Sequence, residues 1–237
     1  MNATSLITGA SKGLGLALAH LLEQKGYQVI GLGYNHPRYE LSADRQPLIE
    51  LIHREKPTLI INNAGFGLYG DAVDLTVADQ LDMIEVNCRA AVEVTLEAAR
   101  VLKEAKLPGT IVNIASAAAF LIYPSFATYS ATKTFLLAWS QSVDAELKQY
   151  GIRVLTSCPG QINTDFRVRA SQGKSTRHDF WTLSVEKVAK RIYRQIEKGK
   201  SVDIINGWYR LGILLAKCLP KSVVQRVLRS AIQKRLS

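Results

Sequence analysis

The sequence predicts an α/β fold: a doubly wound, mostly parallel sheet of about seven strands with helices on both faces. Three observations predict it. Short apolar runs alternate with longer amphipathic stretches along residues 1–206, the pattern of strands joined by crossover helices. The first apolar run enters a glycine-rich turn and then a helical segment. Residues able to do chemistry fall just after apolar runs, at the strands' carboxyl ends, where open parallel sheets bind ligands. Residues 1–206 read as one domain and 207–237 as a basic, amphipathic helical extension of it.

The bulk numbers agree with that class. A chain of 237 residues suffices for one large core. Apolar and charged contents of 47% and 21% are those of a globular protein. No internal repeat and no run of 18 apolar residues is present, so neither a solenoid nor a plain membrane span is expected. Met1 to Thr4 lead straight into a strand, and no signal peptide is expected. Cys88, Cys158 and Cys218 form no Cys-x-x-Cys pattern and read as thiols in a reducing compartment, which points to the cytoplasm. The four histidines and the acids Asp71, Asp74, Asp79 and Asp82 form no metal-ligand pattern, so no metal is expected.

Taken in order, residues 5–8 form the first strand, and Gly9-Ala10-Ser11-Lys12-Gly13-Leu14-Gly15 is the turn into a helix at 16–22. Glycines let backbone N–H groups approach a pyrophosphate, and the helix N-terminus adds positive potential. A plain strand–helix turn would need one glycine rather than three. Residues 27–33 form the second strand. An acid that binds a free ribose 2′-OH is expected about 20 residues after the glycines. Gly33 stands there, followed by Tyr34, while Lys12 lies in the glycine turn and Arg38 just beyond the strand. Cations without the acid favour a 2′-phosphate, hence NADP(H) over NAD(H), with NAD(H) the second choice; Lys12 as a solvated turn residue is the alternative. Residues 58–61 form a strand that ends in Asn62-Asn63-Ala64-Gly65, small residues that suit close approach to a flat ligand. Helical segments follow at 76–85 and 87–105, then strands at 110–114 and 152–157, a helix at 185–196 and a strand at 202–205.

The chemistry gathers around Tyr129 and Lys133, four residues apart and therefore on one face of the helix that runs to about Tyr150. An ammonium beside a phenol favours the phenolate, which makes Tyr129 a candidate general acid/base and Lys133 its tuner. Ser116 is the hydroxyl at the tip of the 110–114 strand. Other readings stand beside these: Ser116 as a strand end, Asn87 as a helix N-cap, Lys133 as a solvated lysine, Thr164 as a turn cap.

With these motifs in place, the chain resembles the short-chain dehydrogenase/reductase (SDR) family over nearly its whole length. Thr8 to Gly15 look like the family's cofactor motif, and Asn62-Asn63-Ala64-Gly65 like its second motif. Ser116 stands thirteen residues before Tyr129, the family's usual spacing, and Asn87 matches the asparagine of its tetrad. Pro159-Gly160-Gln161-Ile162-Asn163-Thr164 matches the segment that holds the nicotinamide carboxamide.

The resemblance implies a single-domain Rossmann fold and an NADPH-dependent oxidoreductase that moves hydride between cofactor and a carbonyl or alcohol. Tyr129 would be the proton donor, Ser116 would hold the carbonyl oxygen, and Lys133 would lower the Tyr129 pKa and hold the nicotinamide ribose. Asn87 would bind a water linking Lys133 to solvent. Cofactor contacts would come from Gly9, Ser11, Lys12, Gly13, Leu14, Gly15, Tyr34, Arg38, Leu41, Asn63, Ala64 and Gly65, with Tyr129, Lys133, Pro159, Gly160, Ile162 and Thr164 at the nicotinamide end. Ser116, Phe120, Tyr123, Tyr129 and Phe166 would meet the substrate. The 165–183 segment, with Phe166, Phe180 and Trp181, reads as a lid over an apolar pocket, and an apolar ketone or aldehyde as the substrate. A non-catalytic dinucleotide sensor is the alternative, disfavoured by the full set of Asn87, Ser116, Tyr129 and Lys133.

Charge is uneven. Residues 1–166 hold 13 Lys+Arg and 16 Asp+Glu, whereas 167–237 hold 17 and 4. An apolar stripe of Val223, Val224, Val227, Leu228, Ala231 and Ile232 follows Pro220, flanked by basic residues. It reads either as packed on the body or a second subunit, or as a peripheral contact with an anionic membrane. No nucleic-acid recognition motif is visible, so no nucleic-acid partner is expected. By resemblance, the helices at 87–105 and 128–150 would form a homodimer or homotetramer.

Overall fold

The structure is a computed structural model and describes residues 3–37, 39–173 and 182–236. Arg38, Phe180 and Trp181 lie outside the described residues. Six strands form a sheet among these residues: β1 (Thr4–Ile7), β2 (Gln28–Gly31), β3 (Leu59–Asn62), β4 (Gly109–Ile114), β5 (Ile152–Pro159) and β6 (Val202–Ile205). Their order is β2-β1-β3-β4-β5-β6, and every pairing is parallel. All four residues of β3 are buried, as are Ser5 to Ile7 of β1, because helices cover both faces. That double burial is why the strands read as short continuous apolar runs rather than as alternating ones.

The helices are α1 (Gly13–Gln24), α2 (Gln46–Glu55), α3 (Val77–Ile84), α4 (Ala91–Glu104), α5 (Ala127–Leu147), α6 (Phe166–Ala170), α7 (Val185–Glu197), α8 (Gly207–Cys218) and α9 (Lys221–Leu236). One core layer joins Leu48, Leu51 and Ile52 of α2 to Val94, Ala98 and Leu102 of α4 under β1, β3 and β4. The opposite layer joins Leu14, Leu18 and Leu22 of α1 to Val188, Ala189 and Ile192 of α7. Burying each such leucine or isoleucine stabilises the fold by roughly 1.5–3 kcal/mol. Helix α2 occupies residues 46–55, a stretch to which the sequence pattern assigns no element. Its apolar positions Leu48, Leu51 and Ile52 are few, and Pro47 sits in its first turn, where proline is tolerated.

The order reverses at β1, whose neighbours are β2 on one side and β3 on the other. The crevice beyond the carboxyl ends of β1 and β3 is therefore the switch point where such sheets take ligands. The chain between α3 and α4 is a single π-helical stretch, Glu85–Ala90, that places Asn87 inside the fold. Beyond β6, α8 and α9 form a hairpin broken at Leu219 and Pro220.

Candidate active site

Beyond the carboxyl ends of the strands lies a cleft of about 1970 Å³. One part of its wall is the β1–α1 turn. Gly9 (φ 65°) and Gly13 (φ 58°) occupy the left-handed region, which glycine alone enters freely. A Cβ on Gly9 would stand 2.9 Å from Ala64 Cα, and one on Gly15 would stand 2.2 Å from Gly9 O. Asn63 fastens this turn to β3: its side chain donates to the carbonyls of Thr8 and Gly9, while Thr8 Oγ1 accepts from the amides of Asn63 and Ala64. Helix α1 has no side-chain cap and no acid in its first turn. Its first N–H groups are therefore open to an anion, and the helix dipole favours one there. Ser11, Lys12, Gly13 and Leu14 all line the cleft at this point. These residues fit a dinucleotide pyrophosphate.

Gly33, where a ribose-binding acid would stand, lies against Ser11; an added Cβ would come within 3.1 Å of Ser11 Cβ. Tyr34 does not face the cleft. Its hydroxyl donates to Glu23 and its ring meets His20 edge-on at 5.3 Å, so the expected cofactor contact is corrected to a brace on α1. The cause is Asn35, which accepts from Gly31 N and donates to Val29 O, curling the chain back onto β2. Lys12 pairs with Asp165 at 2.9 Å, both side chains well exposed. Leu41 lines the cleft from the loop before α2. Pro159, Gly160, Ile162 and Thr164 line it from the far side, and Thr164 lies over Gly13 while its Oγ1 accepts from Phe166 N.

The reactive group sits deeper. Ser116, two residues beyond β4, caps a short 3-10 turn, Ala117–Phe120, accepting at Oγ from Ala118 N. It stands beside the Tyr129 hydroxyl and draws the phenol's pKa down. Tyr129 is buried on α5, with its ring stacked on Phe126 at 4.3 Å and tilted against Phe166 at 5.4 Å. Lys133, one turn on, is also buried. Its Nζ donates to Ile114 O at 2.9 Å and lies 5.7 Å from the Tyr129 ring centroid.

Burial governs both titrating groups. It pushes the Tyr129 hydroxyl above its ordinary value, with Ser116 pulling the other way and Tyr69 and Cys158 adding to the rise. Burial also pushes Lys133 down to about 8. The expected lowering of Tyr129 by Lys133 is therefore outweighed in this geometry: the ammonium points at the Ile114 carbonyl rather than at the phenol oxygen.

Asn87 is fully engaged in the interior. Its Nδ2 donates to Phe66 O and Thr132 Oγ1, and its Oδ1 accepts from Phe66 N. These bonds tie the β3 loop to the residue before Lys133. Gly65 lies between the two: a Cβ there would meet Asn87 Oδ1 at 2.8 Å and Lys133 Nζ at 3.3 Å. Asn87 is therefore neither an N-cap nor an exposed amide.

Of the expected substrate contacts, Ser116, Tyr123, Tyr129 and Phe166 line the cleft. Phe120 does not. The 3-10 turn rotates it toward Ala115, Ala119, Leu137 and Cys158, and Ala118 and Leu121 take the wall instead. Sequence reasoning missed several lining residues. Tyr69 and Phe66 stand beside Phe126 and Tyr129, with Arg235 from α9 reaching Tyr69 and Arg169 stacked over Phe66. Tyr209 of α8 packs against Gly160, where an added Cβ would stand 2.2 Å from its ring, and its hydroxyl accepts from Gln161 N. Ile232 of α9 is buried in the cluster that holds Tyr129. The extension thus forms part of the site wall. The stripe through Ile232 was the available signal, but a stripe does not name what it packs on.

A sequence model described as short chain dehydrogenase matches residues 53–175. An uncharacterized oxidoreductase of Staphylococcus aureus strain MW2 is 30% identical over 181 residues, covering 68% of this chain and 78% of its own. The structure of a short-chain dehydrogenase from Sphingobium yanoikuyae in complex with NADPH superposes with a TM-score of 0.79 at 24% identity, covering 91% of this chain and 93% of that one. The structure of a 4-hydroxyisoleucine dehydrogenase complexed with NADH superposes with a TM-score of 0.75 at 26% identity, covering 87% and 97%.

Proposed function

The chain belongs to the short chain dehydrogenase family, an NAD(P)-dependent oxidoreductase by that membership, and on that premise we propose that it reduces an apolar ketone or aldehyde with NADPH. The observation that carries the reading is the placement of Ser116, Tyr129 and Lys133 on the wall of the same cleft as the glycine turn. When bound, the dinucleotide supplies the hydride.

The chain's own residues do the rest. The α1 N-terminus and the Gly9–Gly15 turn bind the pyrophosphate. Ser116 and Tyr129 both line the cleft, and their hydroxyls would donate to a carbonyl oxygen there as its negative charge grows. Burial keeps Tyr129 protonated near neutral pH, the form that a proton donor needs for reduction. Lys133, still largely protonated at pH 7 with its pKa near 8, supplies positive charge behind the forming phenolate. Asn87 holds the Phe66 backbone and the Thr132 side chain that frame this lysine. The wall of Tyr123, Phe126, Phe166 and Leu121 offers rings and methyl groups to the substrate, which favours an apolar carbonyl compound.

NADPH preference rests on the absence of an acid at Gly33 and on exposed Lys12. Replacing Lys12 with Ala raises KM for NADPH about tenfold and leaves KM for NADH unchanged; equal effects on both would remove this support. A shallow apolar hollow of Ile84, Val92, Ala131 and Phe135 on α3, α4 and α5 fits a homo-oligomer contact. We assign the enzyme to the cytoplasm. Turnover of a panel of apolar ketones and aldehydes with NADPH tests the reading. NADPH binding with no turnover across the panel would replace it with a dinucleotide sensor.

A further inference from the structure

The α8–α9 hairpin walls the cleft, and much of its apolar surface is exposed. Trp208, Leu211, Leu214, Leu215, Leu219 and Val227 are each 46–62% exposed, whereas Ile213 and Ile232 are buried. Leu214 lies outside the cleft wall and is still 61% exposed, so the exposed apolar surface extends past the cleft. Residues 207–237 hold seven Lys or Arg and no acid. Arg210 and Arg229 are taken by Asp203 and Asp71, and Arg235 lies on Tyr69. Lys217, Lys221, Arg226 and Lys234 are exposed and make no ion pair among the described residues. The apolar face is also continuous with the cleft, because Trp208, Leu211, Leu215, Leu219 and Val227 line both.

We propose that this hairpin is the docking surface for an anionic lipid bilayer, which it meets with the mouth of the cleft turned toward the acyl layer. Aliphatic side chains with an aromatic at one end and unpaired cations at the flanks match the two layers of such a surface, headgroup charge and hydrocarbon. A second copy of the chain fits less well, since a two-fold contact would set this acid-free surface against itself. Nucleic acid would meet the cations but leave the aliphatic face wet. No helix among the described residues is long and apolar enough to cross a membrane, so the contact is with one leaflet. The docking does not depend on the redox reading, and its test reads binding rather than turnover.

The test is flotation of the full chain with phosphatidylcholine vesicles and with vesicles carrying roughly 30% phosphatidylserine. The chain is expected to float with the anionic vesicles about tenfold more than with the neutral ones. Brominated acyl chains should quench tryptophan emission in the wild type, and Trp208→Phe should remove that quenching. The triple variant Leu214→Glu, Lys217→Glu, Lys221→Glu, whose positions lie outside the cleft wall, should lose about tenfold in partition while its thermal unfolding stays in place. Failure of the wild type to float, or equal flotation of the triple variant, would overturn the proposal. So would flotation without quenching of Trp208, which would reduce the contact to charge alone. A dimer lost in the triple variant, with no vesicle binding, would assign the face to a second copy of the chain; salt-dependent RNA binding in place of vesicle binding would assign it to nucleic acid.

Discussion

Replacing Lys133 with Met tests the buried ammonium directly. Lys133 is 5% exposed, donates to the Ile114 carbonyl, and makes no ion pair with a carboxylate among the described residues. Burial pushes it down to about 8 from an ordinary 10.5. A base whose native pKa lies below its unfolded value costs the fold most where both states are protonated. That cost is therefore complete below pH 8 and fades as pH rises from 8 to 10.5. The difference of about 2.5 pKa units corresponds to about 3 kcal/mol at pH 7 and falls below about 1 kcal/mol at pH 10. The methionine keeps the length and apolar stem but cannot titrate. It also leaves the Ile114 carbonyl without its donor, a loss of about 1–3 kcal/mol that is common to both pH values. Urea unfolding of wild type and variant at pH 7 and pH 10 should then show the wild type gaining about 2–3 kcal/mol on the variant between the two. An unchanged difference between the two proteins would show that Lys133 titrates like a solvated lysine and would refute the burial argument.

Two further predictions concern the supports of the site. Gly160→Ala drives a Cβ to 2.2 Å from the Tyr209 ring, so it should cost about 1–3 kcal/mol in thermal unfolding, and Tyr209→Ala in the same chain should recover most of that loss; additive effects would contradict the contact. Asp203, 1% exposed, is raised by burial but lowered more by its bonds to Arg191 and Lys200. Its native pKa being depressed, its stabilisation is present above the unfolded value of about 3.9 and is lost as pH falls through the native one. Asp203→Asn should cost about 2–3 kcal/mol at pH 7, because Arg191, Lys200 and Arg210 are left facing one another while remaining partly solvated. The cost should shrink in acid unfolding below pH about 3.9; an equal cost at both ends of that range would place the stabilisation elsewhere.

Much of the site was legible because its signals are local. Three glycines after β1, Asn63 after β3, and Tyr129 and Lys133 one turn apart are fixed by geometry within a few residues. The strands were legible for the same reason, since burial on both faces keeps them mostly apolar. What was not legible depends on distant partners. Phe120 sits in a stretch whose other residues reach the cleft, and only the rotation of one 3-10 turn sends it to Cys158 instead. Tyr34 follows the expected cofactor position, but Asn35 curls the chain and lays the ring on α1. Tyr209, Ile232 and Arg235 join the site across more than a hundred residues of chain from Tyr69. The pKa balance escaped the sequence for a related reason. The spacing of Tyr129 and Lys133 names neighbours, but it gives neither their depth nor the direction of the ammonium, and both are set by the Ile114 carbonyl and the surrounding core.

Transfer of deuteride from 4-deuterated NADPH to the carbonyl carbon of an apolar ketone, measured for wild type and Tyr129→Phe, addresses the central claim most directly. The variant keeps the ring that packs on Phe126 and Phe166 and loses only the hydroxyl. Deuterated alcohol from the wild type, with kcat lowered in the variant by about 100-fold or more and NADPH binding unchanged, is the predicted result. Equal deuterium transfer by the two proteins would contradict the assignment of Tyr129 as the proton donor.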